Sequence, residues 1–156
     1  MKKAIISLCV AAAVAFAFVG CDRGSGVAGV NISSLDGRKF EKTEMMGKTL
    51  YLAKLDPKNG FAANVNVVFE EGQGTLPTTD VYLKQSKGQY DTLGAKMQVQ
   101  EKTDSTITLS GTMGGMKLLQ RVLRDSAKNR FIVITGTYKE DSDKAAIEAC
   151  VNSAGL

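Results

Sequence analysis

Two short apolar segments joined by turn residues predict an antiparallel hairpin early in the folded part of the chain. Residues 48–55 place apolar side chains on both faces of an extended segment, and residues 61–70 contain a run of β-branched valines. Between them lies Asp56-Pro57-Lys58-Asn59-Gly60, which is rich in the residue types that favour turns. Two such runs joined by a turn indicate two antiparallel strands.

A second hairpin and a further strand are predicted in the C-terminal half. Residues 106–113 and 116–124 are separated only by Gly114-Gly115, and glycine accepts the positive φ angles of a two-residue hairpin turn. Residues 130–138 carry apolar side chains on both faces. A strand of this kind needs cover on both sides of its sheet.

The first of two predicted helices spans residues 79–93. Thr78, Thr79 or Asp80 can cap its N-terminus. Its inward positions recur at spacings of three and four and are Leu83, Ser86, Tyr90 and Leu93.

The second helix is predicted in the last segment of the chain, with Asp141 or Ser142 as its cap and Gly155 at its end. Its apolar stripe consists of Ile147, Cys150, Val151 and Ala154. The order hairpin, helix, further strands, helix predicts an α+β domain with an antiparallel β-sheet flanked by helices.

The first twenty residues have the features of an export signal. Met1-Lys2-Lys3 is basic, residues 4–19 are almost entirely apolar, and this run is short for a membrane span. Phe18-Val19-Gly20-Cys21 resembles the bacterial lipobox, in which the cysteine is lipidated and becomes the acylated N-terminus. We interpret residues 1–20 as a lipoprotein signal peptide and Cys21 as the lipidation site. The alternatives are an ordinary signal with a chance cysteine, or a short anchoring helix.

Asp22 directly follows the predicted acylated cysteine. It resembles the sorting signal that retains enterobacterial lipoproteins in the inner membrane. We therefore expect a bacterial envelope protein on the periplasmic face of the inner membrane, with the outer membrane as the alternative location. Residues 21–34 are predicted to be a flexible lipid-anchored tether that adds nothing to the core, and residues 35–156 a single domain. The glycines of residues 24–29 match a dinucleotide-binding pattern only formally, because no strand precedes them.

Composition narrows the function classes. Without residues 1–20 the chain has 18 basic and 16 acidic residues, so its charge gives little support to a nucleic-acid partner. The chain contains no histidine, which is the commonest general base and a common zinc ligand. We therefore expect no enzymatic activity, no catalytic residue, no bound metal and no cofactor.

Three groups of side chains could carry chemistry. Cys150 lies in the stripe of the second helix and is interpreted as a buried small hydrophobe rather than a reactive thiol. Glu70-Glu71 and the acids of residues 140–143 are interpreted as solvated strand ends and helix caps, because they form only a fragment of a calcium-binding pattern. The basic residues are interpreted as a mixed solvated surface, with a face toward anionic lipid as the alternative.

The order of several short motifs resembles the DcrB-like bacterial lipoproteins, which share the PsbP-like fold. The resemblance covers about residues 48–156. The motifs are Gly60-Phe61, Asn64-Val65-Asn66-Val67-Val68, Tyr82-Leu83-Lys84-Gln85-Ser86, residues 107–111, Phe131-Ile132-Val133-Ile134-Thr135 and Val151-Asn152-Ser153. The resemblance implies an α-β-α sandwich, an envelope location and an accessory role without catalytic residues.

Two functions follow as hypotheses. The first is a non-enzymatic, lipid-anchored accessory protein that binds a protein partner at the membrane surface through its sheet or a helix. The second is a carrier of a small ligand or lipid, with an apolar pocket between sheet and helix. The sequence alone identifies no ligand-binding residues.

Overall fold

A seven-stranded antiparallel sheet with one helix on each face forms the fold. The structure is a computed structural model, and it describes residues 27–156. The predicted signal peptide, Cys21 and Asp22 therefore lie outside the described residues. The elements are β1 (Glu41–Met45), β2 (Lys48–Lys54), β3 (Asn64–Glu71), α1 (Thr79–Thr92), β4 (Lys96–Lys102), β5 (Thr106–Met113), β6 (Met116–Asp125), β7 (Arg130–Tyr138) and α2 (Asp141–Asn152).

The strands follow the order β1-β2-β3-β7-β6-β5-β4 across the sheet. The helix α2 packs on β7, β6 and β3, whereas α1 packs on β4 and β5. Alternate residues of β7 show that the helices lie on opposite faces, since Ile132 and Ile134 belong to the core beneath α2, and Phe131 and Val133 to the core beneath α1. The predicted α+β class with an antiparallel sheet is confirmed.

Both predicted hairpins are present. The strands β2 and β3 pair antiparallel, as do β5 and β6, and the predicted strand at residues 130–138 is β7. Gly114 and Gly115 have φ angles of +56° and +79°, as a tight hairpin turn requires. The outermost strands β1 and β4 were not predicted. Both are largely polar and exposed, as edge strands commonly are. They therefore lack the apolar residues by which the buried strands were recognised.

One end of the sheet, here called the lower end, carries the β1–β2 turn, the β6–β7 turn and the segment that leads from β3 into α1. The register places these together, because Glu71 of β3 pairs with Arg130 of β7, and Asp125 of β6 pairs with the same residue. The β5–β6 turn and the start of α2 lie at the opposite, upper end.

The inner face of α1 differs from the prediction. The helix begins as expected after Thr78, whose hydroxyl accepts a hydrogen bond from the Val81 amide at 3.4 Å. The expected stripe is wrong at Leu93, which is 49% exposed, and Leu83 is only partly buried. Ser86 and Tyr90 are buried as expected, and the other buried positions are Thr79 and Tyr82. Periodicity therefore located the helix and part of its inner face, and the positions that it missed carry polar groups.

The helix α2 has the predicted stripe, with Ile147, Cys150 and Val151 buried and Ala154 buried just beyond it. Two details of its ends are corrected. The N-cap residue is Glu140, whose side chain makes no capping hydrogen bond, rather than Asp141 or Ser142. The helix ends at Asn152, before the predicted stop at Gly155, because the residues beyond it pair with the N-terminal segment.

The N-terminal segment, residues 27–35, packs against the domain instead of hanging free from it. Val27 is 3% exposed, Leu35 is fully buried, and Val30 and Ile32 pack against the same core as α2. The Asn31 amide donates to the Gly155 carbonyl at 2.9 Å, and the Gly155 amide donates back to the Asn31 carbonyl at 2.8 Å. The expectation that residues before Leu35 add nothing to the core is therefore wrong from Val27 onward. Isolated valines and an isoleucine among glycines and serines gave too weak a pattern to reveal this contact.

We predict that Val27→Ala lowers the free energy of unfolding by about 1–2 kcal/mol, because it removes two buried methyl groups. Val81→Ala is the matched control, since Val81 is 44% exposed on α1 and its replacement should change stability by less than about 0.5 kcal/mol. Urea unfolding measures both. Equal midpoints for Val27→Ala and the unmodified protein would show that the N-terminal segment does not contribute to the core.

Candidate functional site

A row of polar side chains lies between α1 and the sheet. The Tyr90 hydroxyl donates a hydrogen bond to Gln120 Oε1, and Gln120 Nε2 donates to Thr135 Oγ1 at 3.0 Å. On the helix, the Ser86 hydroxyl donates to the Tyr82 carbonyl at 2.9 Å. All of these side chains are buried. A connected buried network of this kind fixes side-chain positions, because each member costs free energy if its partner is removed.

The polar row continues across the sheet onto β3. Thr135 pairs across the strands with Asn66, and Thr137 with Asn64. The polar atoms that are buried here without a hydrogen-bond partner among the described residues are Asn64 Oδ1, Asn66 Nδ2, Asn66 Oδ1 and Thr137 Oγ1. Buried donors and acceptors are rarely left unpaired, since each unpaired group costs about 1–3 kcal/mol. The polar row therefore contains donors and acceptors that the described residues leave unpaired.

Glu70 marks the lower end of this polar row. The Tyr82 hydroxyl donates to Glu70 Oε2 at 3.2 Å, and burial raises the pKa of the Glu70 carboxyl to about 7. The hydrogen bond from Tyr82 and the positive charge of Lys48 act in the opposite direction on this pKa, but they do not offset the burial. Burial also raises the pKa of Tyr82 well above its ordinary value, so the hydroxyl stays protonated as the donor. The carboxyl can thus carry or release a proton near neutrality.

Two clefts meet at Glu70 and Glu71, and together with these acids we call them the Glu70 site. One has a volume of about 450 Å³ and is lined by Lys42, Lys48, Thr49, Tyr51, Val68, Phe69, Glu70 and Glu71. The other has a volume of about 140 Å³ and is lined by Glu70, Glu71, Gly72, Gln73, Thr75, Leu76, Pro77, Tyr82, Gln85 and Phe131. Both lie at the lower end of the sheet. Their mixture of apolar walls with a few charged and hydroxyl groups suits recognition of an amphipathic group.

The interpretation of Glu70-Glu71 as a solvated strand end is correct for Glu71 and wrong for Glu70. Glu71 is exposed, as a solvated strand end should be, but Glu70 is partly buried and its pKa is strongly raised. The sequence did contain a signal for this site. Asn64 and Asn66 interrupt a run of valines at inward positions, and Tyr82, Ser86 and Tyr90 recur every four residues on α1.

The acids at the start of α2 hold this helix in place. Asp143 is buried and accepts a hydrogen bond from Lys58 Nζ at 2.5 Å, while Asp141 pairs with Lys117 of β6. Glu140 accepts a hydrogen bond from the Asn59 side chain at 3.1 Å. Among residues 27–156, no group of three or more potential ligand side chains is positioned to hold a metal ion.

Cys150 is buried, as predicted, with 1% of its surface exposed. Its Sγ donates a hydrogen bond to the Ser33 carbonyl at 3.2 Å, and burial raises the pKa of the thiol to about 11. At neutral pH it is therefore a protonated thiol that joins α2 to the N-terminal segment.

Two of the basic residues that were interpreted as solvated have structural partners. Arg124 donates hydrogen bonds to the Leu76 and Pro77 carbonyls, and Arg121 donates to the Ala154 carbonyl.

The comparisons with known proteins found no matching family model, curated protein or solved structure. Within the described part of the chain, neither helix is long and apolar enough to cross a membrane.

We predict that Glu70 makes the folded protein less stable as the pH rises from about 4.5 to about 7. In the unfolded chain the carboxyl ionises at its ordinary pKa of 4.5, whereas in the fold it keeps its proton up to about 7. The folded state therefore binds more protons across this window, and raising the pH favours unfolding by about 1–3 kcal/mol. Glu70→Gln should remove this loss, and Glu71→Gln should not. Denaturant midpoints across the window measure it, and identical pH profiles for the unmodified protein and Glu70→Gln would refute the raised pKa.

Proposed function

We propose that this chain is a non-enzymatic, lipid-anchored accessory protein of the bacterial envelope that binds a protein partner at the membrane surface. The expected location is the periplasmic face of the inner membrane, with the outer membrane as the alternative. Cys21 would carry the lipid, and Asp22 would act as the sorting signal. We further propose the PsbP-like sandwich and the DcrB-like family, for which one helix on each face of an antiparallel sheet is supporting geometry.

The observation that carries this proposal is the burial of Val27 in the core. Only six residue steps separate Cys21 from Val27, so a lipidated Cys21 would hold the folded body close to the bilayer. An envelope protein held this way can act only on partners at the same surface. The Glu70 site offers a partner exposed cleft walls and a carboxyl that donates or accepts hydrogen bonds.

Lipidation is tested by Cys21→Ala. We expect the unmodified protein to incorporate labelled palmitate and to sediment with membranes, because acyl chains contribute about 0.8 kcal/mol of membrane affinity per buried methylene. The variant should lose the label and leave the membrane fraction, while its unfolding midpoint stays the same. An unmodified protein that takes up no palmitate would refute the anchor.

Partner binding is tested in the same cells with a photocrosslinking amino acid at Gln73, an exposed residue of the smaller cleft. Asn152 on α2 is exposed and lies outside both clefts, so it is the matched control. We expect one discrete crosslinked protein from Gln73 and none from Asn152. The same crosslinked bands from both positions would count against the Glu70 site as the contact surface.

A second candidate, the small-ligand or lipid carrier, is favoured by the unpaired polar atoms of Asn64, Asn66 and Thr137. Beside them on the same face of β2 and β3 lies the apolar cluster Leu50, Leu52 and Val68. A ligand with an apolar body and a few polar groups would complement both. Native mass spectrometry of the purified protein separates the two candidates, because a carrier retains a ligand of defined mass and a pure partner-binding module does not.

A further inference from the structure

The length of chain between the lipid site and the folded body limits how the body can sit on a membrane. Cys21 and Val27 are six steps apart, which span at most about 22 Å when fully extended. The strand β7 alone has nine residues and is about 30 Å long. This connection is shorter than a strand, so a lipidated Cys21 cannot reach the bilayer if Val27 lies a full strand length above the membrane surface.

The chain enters the folded body at the lower end of the sheet. Gly29 lies against the β6–β7 turn, since a Cβ added to Gly29 would stand 2.6 Å from Lys128 Nζ and 2.8 Å from Arg130 Nη2. The β1–β2 turn and the Glu70 site lie at this same end. The short connection therefore excludes an orientation in which the upper end, with the β5–β6 turn, rests on the membrane.

The β1–β2 turn carries an apolar side chain in an unusual place. Met46 is 95% exposed, and its φ angle of +52° followed by +74° at Gly47 gives the tight turn of a two-residue hairpin. Asparagine, aspartate or glycine normally occupies such a position, because other side chains are strained at positive φ. Neither turn geometry nor packing accounts for methionine here. Its side chain projects from the same end of the sheet at which the chain leads toward Cys21.

We propose that the β1–β2 turn is a membrane contact, with Met46 inserted among the lipid headgroups and upper acyl chains. This inference rests on the proposed lipid anchor at Cys21. The anchor keeps the turn at a high local concentration next to the bilayer, so a single unbranched apolar side chain is sufficient for contact. We assign lipid as the partner of this turn, because the six steps between Cys21 and Val27 bring this end of the sheet to the bilayer surface itself.

The contact would orient the Glu70 site. The larger cleft is lined by Lys48, which begins β2 directly after the turn, and by Glu70 and Tyr51. With Met46 in the headgroup region, this cleft opens at the bilayer surface. A partner or ligand would then be met at the level of the headgroups, where the basic side chains Lys42 and Lys48 also lie.

The test uses tryptophan fluorescence, because the chain contains no tryptophan of its own. The full chain carrying Met46→Trp is purified from membranes, its acylation is checked by intact mass, and it is reconstituted into vesicles with or without brominated lipids. Leu93→Trp is the matched control, since Leu93 is also an exposed apolar residue but lies at the upper end. Brominated lipids quench tryptophan only at close range.

We expect brominated lipids to reduce the emission of Met46→Trp by about half and to leave Leu93→Trp nearly unchanged, as shallow interfacial insertion predicts. An acylated protein in which neither tryptophan is quenched, or both are quenched equally, would overturn the contact while leaving the anchor intact. A purified chain that carries no acyl group would overturn the anchor, and this orientation with it.

Met46→Asn is a second variant, which removes the apolar side chain and should leave the fold intact. Asparagine tolerates positive φ, so the melting temperature should stay equal or rise. Vesicles should slow amide hydrogen exchange in the β1–β2 turn of the unmodified acylated protein, and this protection should be lost in Met46→Asn. Equal protection in both proteins would contradict a role for the methionine side chain.

Discussion

The close approach of α2 to β7 is the contact on which the rest of the arrangement depends. It occurs at Gly136, where an added Cβ would lie 2.4 Å from Ile147 Cγ2 and 3.0 Å from Val151 Cγ2. No larger residue leaves room for the helix at this distance. Once α2 lies here, its C-terminal end presents Cys150 and Gly155 to the N-terminal segment, which bonds to both through Ser33 and Asn31. The packing of α2 against Gly136 thus supports the position at which the chain enters the fold, and with it the reach of the proposed lipid anchor.

The two faces of the sheet differ in the kind of contact that they make with their helices. Beneath α2 the contacts are apolar, with Ile132, Ile134 and Val151 almost completely buried, and this face supplies much of the hydrophobic stabilisation. Beneath α1, Tyr90, Gln120 and Thr135 form a hydrogen-bonded row that adds less net stability but fixes its members in place. The unpaired atoms of Asn66 and the raised pKa of Glu70 are on this second face. A protein that needed only a stable core would gain from apolar residues at these positions, so their polarity is the feature on which the proposed binding role rests.

Much of the sheet could be predicted from the sequence, because buried strands leave a readable pattern. The hairpin β5–β6 follows from the Gly114-Gly115 turn, and the strand β7 follows from its apolar residues on both faces. The edge strands β1 and β4 could not be found, since each is paired on one side only and exposes most of its side chains. The inner face of α1 was predicted correctly at Ser86 and Tyr90. It was predicted wrongly at Leu93, because Thr79 and Tyr82 complete this face instead.

The site could be predicted only in part, because its properties arise from contacts between distant segments. Glu70 has its raised pKa because the folded chain buries its carboxyl, and this burial outweighs the hydrogen bond from Tyr82, which lowers the pKa. The N-terminal segment is ordered by residues more than a hundred positions away, which no local pattern encodes. The lipobox-like motif at Cys21 differs from these contacts, because all of its residues are adjacent in the sequence. Lipidation at Cys21 remains a proposal.

The most direct test of the central claim is the stability and hydrogen exchange of Gly136→Ala. The added methyl should force α2 away from β7 and lower the free energy of unfolding by about 1–3 kcal/mol. It should also speed exchange at the Asn31 and Gly155 amides, each of which donates to the carbonyl of the other residue. Gly88→Ala is the control, because Gly88 lies in α1 with open space around it and alanine should stabilise the helix by about 1 kcal/mol. A Gly136→Ala protein with an unchanged unfolding midpoint and unchanged exchange at Asn31 and Gly155 would show that this contact does not hold the N-terminal segment in place.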